Sequence, residues 1–243
     1  MRAGPLRFAQ ALVCAGALAS VLAVAAAGAS HTRLPASARV SVIGAGDVEW
    51  PRVAVRVRPS RAARAIRTFG RFRSDYRPRV VLALGAVRDA SGTPTWYRVS
   101  LPGRPNGHTG WIPAGSVSLH PVDRWLVILR GARRFEFVER GRVVRSGPVA
   151  IGAPRMPTPL GLFYVQDGFR PTKDPILGAY AFETSAYSRL SEWPGGGVVG
   201  VHGTNTPALI GQAVSHGCVR LRNADIDYLR TRVPPGTPVK IVR

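Results

Sequence analysis

Three side chains in one short stretch of this sequence have the types and spacing needed for nucleophilic chemistry. His202, His216 and Cys218 lie within HGTNTPALIGQAVSHGC, residues 202–218. A free cysteine thiol is only a few per cent thiolate at neutral pH, and a neighbouring imidazole or cation raises that fraction. Residues two apart in an extended chain point to the same face, which would place His216 beside Cys218. Gly217 lets the backbone approach a substrate, and the amides around Cys218 could form an oxyanion hole.

Other roles for this cysteine follow from the cysteine count. The chain has two cysteines, and Cys14 lies in a predicted export signal. A mature chain would keep Cys218 alone, which excludes an intramolecular disulfide. One cysteine and two histidines can bind catalytic zinc, but no CxxC, HExxH or carboxylate cluster accompanies them here. An inert buried thiol, among polar residues that only satisfy a turn, is the structural alternative.

The N-terminus predicts export. A short basic start and an uncharged apolar run at residues 11–27 precede an A-x-A pattern that ends at Ala29. This arrangement predicts a signal peptide over 1–29 with cleavage before Ser30, and the length of the run leaves an uncleaved membrane anchor open. We therefore expect an exported protein of the cell wall or of a periplasm-like space.

The charge balance is strongly basic, with a formal net charge of +21. Residues 30–119 carry 15 Arg against 4 acidic residues, and residues 120–243 are also net positive. Nucleic-acid binding is the usual interpretation of such a balance, but the export signal argues against a nucleic-acid partner. Two interpretations stay open: attraction of the Arg-rich first half to anionic wall polymers or a membrane surface, and a solvated surface without a partner.

The elements that must position these residues are predicted to be mainly β. After a linker at 30–39, short strands and turn signals recur from 40 to 118, the pattern of a small barrel. An Arg-rich middle, residues 66–79, carries three aromatic residues that fit either a core or a binding face. Residues 120–243 contain further strands, and two short helices are predicted, one that begins at Pro207 and one that Asn223 caps.

The sequence HGTNTPALIGQAVSHGCVRL, residues 202–221, closely resembles the signature of the L,D-transpeptidase (YkuD) catalytic domain. TPLGLFYV, residues 158–165, resembles the T-P-x-G-x-F motif of the same family. Residues 40–118 contain V-R-x-x-P-S, V-x-x-L-G, W-Y-R-V and G-W-I in this order, which resembles a bacterial SH3-like domain. These resemblances imply a mainly β protein, in which a small SH3-like β-barrel precedes a β-rich L,D-transpeptidase catalytic domain with short helices over 120–243.

The resemblance also implies a reaction on peptidoglycan stem peptides that needs no metal and no cofactor. Cys218 would attack the carbonyl that precedes the terminal D-Ala, release D-Ala and carry the acyl group as a thioester. Attack by an amine of a second stem would give a 3-3 cross-link. Water as the acceptor would give L,D-carboxypeptidase activity instead. A cell-wall-binding protein with a weakly active catalytic half is the alternative of another class.

Individual roles carry over from the resemblance to the matching positions. His202 would be the catalytic base, and His216 would line the site and orient substrate or share proton transfer. The carbonyl of Gly203 would orient the base, and Arg220 would hold a stem carboxylate. The residues expected to bind substrate or the oxyanion are Gly203, Asn205, Ser215, Gly217 and Arg220.

Overall fold

The computed structural model describes Met1 and residues 42–192 and 194–243. The predicted signal peptide and linker therefore lie, apart from Met1, outside the described residues. From residue 42 onward the described residues belong to one compact unit, His31–Arg243. No helix in this described part of the chain has both the length and the apolar character needed to cross a membrane.

The first half folds as a seven-stranded antiparallel sheet in the order β3-β2-β6-β5-β4-β1-β7. Its strands are β1 (Gly44–Val48), β2 (Arg52–Arg56), β3 (Ala65–Gly70), β4 (Val80–Arg88), β5 (Pro94–Ser100), β6 (Thr109–Pro113) and β7 (Val117–His120). Alternation explains the inward face, since Val53 and Val55 of β2 are buried while their neighbours are more exposed. These valines join a core that also contains Val81, Val99 and Ile112.

Two strands of this sheet lack the pattern by which the others are predicted. Strand β1 is rich in glycine, a poor strand former, yet a Cβ on Gly46 would lie 1.8 Å from the Ser118 carbonyl oxygen. Close approach of the two backbones therefore requires that glycine. Strand β3 forms a sheet edge within the Arg-rich middle. Of the three aromatic residues in this Arg-rich middle, Phe69 is buried, whereas Phe72 and Tyr76 are exposed.

The second half builds an eight-stranded mixed sheet in the order β10-β9-β8-β17-β12-β13-β14-β16. Its strands are β8 (Arg124–Leu129), β9 (Arg134–Glu139), β10 (Arg142–Pro148), β12 (Gly161–Phe169), β13 (Ala181–Tyr187), β14 (Val198–His202), β16 (Val219–Arg220) and β17 (Pro238–Val242). A short parallel pair, β11 (Ile151–Gly152) and β15 (Ala213–Ser215), lies beside it. The prediction of a mainly β fold is confirmed.

One of the two predicted helices is wrong. Residues Pro207–Leu209 make a single 3-10 turn, and the chain then enters strand β15. The chain leaves the helical conformation at Ile210, whose ψ is 133°, and Gly211 follows with a φ of +92°, so the turn does not continue as a helix. The other helix, α1, is present at Asn223–Arg230 and packs Ile226 and Leu229 into the core.

The two sheets meet through a small apolar cluster and through polar contacts. Ala45 and Leu82 of the first sheet pack with Tyr164 of the second. Asn106 exchanges two hydrogen bonds with the backbone of Tyr187, accepting from its N–H and donating to its carbonyl. The division into domains over 40–118 and 120–243 stays a prediction.

Candidate active site

Strand pairing brings together two residues that are distant in sequence. Cys218 immediately precedes β16, which pairs in parallel with β14 so that His202 lies opposite Arg220. In this register Cys218 lies beside Gly200. Because side chains two apart share one face of a sheet, Cys218 and His202 lie on the same face. A Cβ on Gly200 would be 3.5 Å from His202 Cδ2 and 3.9 Å from Cys218 Sγ, so this glycine leaves the space between them open.

Two opposing influences set the protonation of Cys218. Burial raises the pKa of the thiol above its ordinary value. The N–H of Gly200 donates to Sγ at 3.3 Å, and this bond and the positive charge of Arg220 lower the pKa in part. The net shift is upward, so the resting side chain is a thiol at neutral pH. The N–H and the cation lie where they would stabilise the thiolate once it forms.

His202 is almost fully buried, with 3% of its surface exposed. Its Nδ1 lies 2.7 Å from the carbonyl oxygen of Gly203. A carbonyl can only accept, so Nδ1 carries the hydrogen and Nε2 is left as the proton acceptor. Burial lowers the pKa of His202 to about 4, while the Gly203 carbonyl and Asp174 act in the opposite direction. The imidazole is therefore neutral at pH 7 and able to accept a proton.

Ser215 and Gly217 shape the turn that presents the cysteine. The hydroxyl of Ser215 donates to the Cys218 carbonyl oxygen at 2.6 Å and accepts from the Gly217 N–H at 3.2 Å. Gly217 has a φ of +122°, and a Cβ there would lie 2.9 Å from the Cβ of Ser188. Only glycine fits this position without strain. Both residues therefore position Cys218 by fixing its backbone.

The remaining predicted residues differ in how close the structure brings them to Cys218. Arg220 acts electrostatically on both Cys218 and His202. Its Nε is buried and has no hydrogen-bond partner within the described residues. His216 is half-buried in the loop before Cys218 and is not among the described residues that line the cavity discussed below. Asn205 is exposed, accepts a hydrogen bond from the Thr206 hydroxyl and is likewise not brought to that cavity.

The loop after His202 is held by a residue for which sequence reasoning gave another role. Asn223 was expected to cap helix α1, but it is the first helical residue and Arg222 takes the cap position. Its Oδ1 accepts from the backbone N–H of Ala179 at 3.2 Å and of Thr204 at 3.0 Å. A Cβ on Gly203 would lie 2.3 Å from the same oxygen. Asn223 thus fixes the backbone that carries the Gly203 carbonyl.

A cavity of about 310 Å³ opens onto the cysteine and the histidine. It is lined by Phe169, Asp174, Leu177, Ala181, Phe182, Glu183, Gly195, Val198, Gly200, His202 and Cys218. The walls are mostly apolar, with the two carboxylates as the polar exceptions that sequence reasoning missed. This composition suits an organic ligand that a few polar groups orient toward the thiol. Within the described residues, no three His, Cys, Asp or Glu side chains cluster as a metal site.

Comparisons with known proteins are consistent with this geometry. The sequence model of the YkuD family, described as the L,D-transpeptidase catalytic domain, matches residues 123–241. The putative L,D-transpeptidase YkuD of Bacillus subtilis is 32% identical over 153 residues, which cover 63% of this chain and 79% of that protein. The probable L,D-transpeptidase YbiS of Escherichia coli is 53% identical over 47 residues, 19% of this chain and 15% of that protein.

Solved structures of the same class are similar at lower identity. L,D-transpeptidase 3 from Mycobacterium tuberculosis is 16% identical, with a TM-score of 0.45 over 68% of this chain and 92% of that chain. A crystal structure of an Enterococcus faecium L,D-transpeptidase is 21% identical, with a TM-score of 0.40. That alignment covers 54% of this chain and 55% of the Enterococcus chain.

Proposed function

This chain belongs to the L,D-transpeptidase (YkuD) family, and from that premise we propose that it is a peptidoglycan L,D-transpeptidase that forms 3-3 cross-links through a thioester on Cys218. The observation that carries the proposal is the placement of a half-buried thiol and a neutral imidazole side by side, where β14 and β16 pair in parallel and both side chains line one cavity. A nucleophile and a base in this relation are the parts needed for covalent acyl transfer.

The first half of the proposed reaction acylates the cysteine. His202 Nε2 accepts the proton of the Cys218 thiol as Sγ bonds to the carbonyl carbon that precedes D-Ala in a tetrapeptide stem. The carbon–nitrogen bond to D-Ala then breaks, and the His202 imidazolium donates its proton to the departing amine. The products are free D-Ala and a thioester on Cys218.

The second half transfers the acyl group. The side-chain amine of a second stem attacks the thioester carbonyl, and His202 accepts a proton from that amine. Sγ leaves as a thiolate, stabilised by the Gly200 N–H and by the positive charge of Arg220. The imidazolium then returns its proton to the thiolate. The new amide joins two stems, and the enzyme regains its resting state.

The neutral resting pair has a physical rationale. Burial of separated charges costs several kcal/mol unless each charge is compensated. A neutral thiol and a neutral imidazole avoid this cost before substrate binds. The ion pair forms only as the reaction proceeds. Arg220 and the Gly200 amide then stabilise the negative charge that develops on sulfur.

For the rest of the chain we propose an exported enzyme whose residues 40–118 form an SH3-like domain. The Arg-rich surface of this half would attract anionic wall polymers, a long-range effect that salt screens. In the catalytic half, His216 is proposed to orient the peptide substrate from the loop before Cys218.

The test is muropeptide analysis after incubation with disaccharide-tetrapeptide monomers. We expect D-Ala release and 3-3 dimers from the wild-type protein, and neither product from Cys218→Ala, because no other described cysteine is available to form the thioester. Circular dichroism of the variant controls for folding. Undiminished turnover by Cys218→Ala would overturn the nucleophile assignment, and D-Ala release without dimers would identify a carboxypeptidase.

A further inference from the structure

A second cavity, of about 390 Å³, lies next to the catalytic cavity. Three of its lining residues, Glu183, Gly195 and Val198, also line the catalytic cavity, so the two spaces are contiguous. The opposite wall comes from the first sheet and its Arg-rich middle, which contribute Arg67, Thr68, Phe69, Arg73, Ser74, Arg79 and Pro102. We call this space the arginine cavity.

The lining of the arginine cavity has an excess of positive charge. Arg67, Arg73 and Arg79 face a single carboxylate, Glu183, among the described residues that line it. Nη2 of Arg73 lies 2.7 Å from both carboxylate oxygens of Glu183, so this carboxylate is already engaged. Nη1 of Arg73 is buried and has no hydrogen-bond partner within the described residues. A buried guanidinium nitrogen without an acceptor is costly unless a ligand supplies one.

Arg79 adds to this excess. It is half-buried, its Nε donates to the Gly70 carbonyl oxygen at 3.0 Å, and its guanidinium stacks on the ring of Phe69 at 5.0 Å. Burial lowers the pKa of Arg79, and the like charges of Arg73 and Arg67 contribute in the same direction. The charge of Arg73 is compensated by Glu183 and by Asp75, which lies 3.2 Å from its Nη2. The like charges of Arg67 and Arg79 are left to repel one another at the cavity. An anion between them would relieve that repulsion.

We propose that the arginine cavity binds a carboxylate of the same stem peptide whose carbonyl reacts at Cys218. This inference rests on the proposed function. Contiguity with the catalytic cavity favours an occupant that reaches both spaces at once, and a peptide with a carboxylate a few bonds from the reacting carbonyl does so. Arginine guanidinium groups suit carboxylates because their planar donors match two oxygens.

The proposal gives the Arg-rich middle a defined role. The first sheet forms one wall of the substrate cleft, because the wall that supplies the cations belongs to residues 67–79. The contact between Arg73 and Glu183 then serves two purposes. It joins the two sheets and places the free Nη1 of Arg73 at the cavity.

The experiment measures binding without turnover. The Cys218→Ala protein is titrated by calorimetry with disaccharide-tetrapeptide in two forms, with free carboxylates and with those carboxylates amidated. We expect the free acid to bind about tenfold more tightly, since charge-assisted hydrogen bonds are lost on amidation. Added Arg67→Gln should weaken binding of the free acid roughly threefold to tenfold and leave the amidated peptide unchanged. High salt should reduce the difference in affinity between the free-acid and the amidated peptide, because salt screens the charge interaction.

Arg71→Gln is the matched control. Arg71 is an exposed cation of the same segment, pairs with Glu49 at 3.5 Å and does not line the cavity. Its removal should leave both affinities unchanged, which separates a local site from the general positive field. Equal affinity for the two peptides, or equal losses in the Arg67→Gln and Arg71→Gln proteins, would overturn the proposal.

Two further readouts separate this proposal from others. Competition by glycerol phosphate oligomers that depends on Arg67, with no effect of amidation, would assign the site to a wall polymer and overturn the proposal. D-Ala release by proteins that retain Cys218 reports the proposed function separately. Normal release from both peptides at equal KM would overturn only the carboxylate site. No release from either peptide, together with selective binding of the free acid, would overturn only the catalytic proposal.

Discussion

Acidification from pH 7 to pH 4 should lower the free energy of unfolding by about 3 kcal/mol through His202 alone. Burial lowers the pKa of this histidine from 6.5 to about 4 in the folded chain. Above pH 6.5 the imidazole is neutral in both states and contributes no pH dependence. As the pH falls below 6.5, His202 binds a proton in the unfolded chain but stays neutral in the native state. The free energy of unfolding therefore decreases until about pH 4. Each pKa unit corresponds to about 1.4 kcal/mol, which gives the magnitude.

The assay compares urea unfolding at pH 7 and pH 4 for the wild-type protein and His202→Gln. Other titrating groups contribute to both proteins and cancel in the difference, which should be about 3 kcal/mol. His108→Gln is the matched control, because it removes an exposed histidine where His202→Gln removes a buried one. An NMR titration of the His202 ring should have its midpoint near pH 4. A midpoint near 6.5, or identical pH dependence in wild type and His202→Gln, would refute the argument.

The remaining predictions concern the backbone that supports the site. Gly217→Ala should destabilise the protein by about 2–3 kcal/mol and sharply reduce D-Ala release, because it combines left-handed backbone strain with a Cβ contact of 2.9 Å to Ser188. Gly211→Ala, where φ is also positive but no atom lies within 4 Å, should cost about 1 kcal/mol by thermal unfolding; equal losses would contradict the steric argument. Asn223→Ala should cost about 1 kcal/mol in urea unfolding, because the backbone N–H groups of Ala179 and Thr204 lose their acceptor, and Asn223→Asp should restore part of it. An Asn223→Asp protein no more stable than Asn223→Ala would count against the Oδ1 contact.

Most strands were accessible to sequence reasoning because each has a local signature. β2 alternates with the period of two of a strand that buries one face, whereas β8 and β12 are continuous apolar runs whose central residues are all buried. Strand β1 has no such signature, since its glycines are selected by close approach to β7 and not by hydrophobicity. The helix predicted at Pro207 is absent for a related reason, because the Gly211 N–H donates to the carbonyl oxygen of Val149, a distant partner that no local pattern reveals.

In the candidate site too, local sequence patterns indicate some residues, whereas other contacts depend on how the strands pair and the sheets pack. Cys218 stands out in the sequence as the cysteine left after export, and its spacing from His216 suggests the near histidine as partner. The structure instead places His202 on the strand beside it, through parallel pairing that no local pattern reveals. Glu183 and the arginine cavity were missed because their contacts join residues 110 positions apart. Such contacts depend on how the two sheets pack together.

The chemistry of the site depends on positions that carry no side chain. Gly200 contributes its N–H to Cys218 Sγ, and Gly203 contributes its carbonyl to His202 Nδ1. At both positions, and at Gly217, an added Cβ would meet neighbouring atoms within 4 Å. The Gly203 carbonyl fixes the tautomer of His202, and in the proposed reaction the Gly200 N–H would stabilise the thiolate of Cys218. A larger residue at Gly203 would move its carbonyl, because the added Cβ would overlap Asn223 Oδ1, whereas at Gly200 the nearest atoms lie at 3.5 Å and a Cβ is accommodated. We therefore expect Gly203→Ala, more than Gly200→Ala, to disturb the proposed proton transfer between Cys218 and His202.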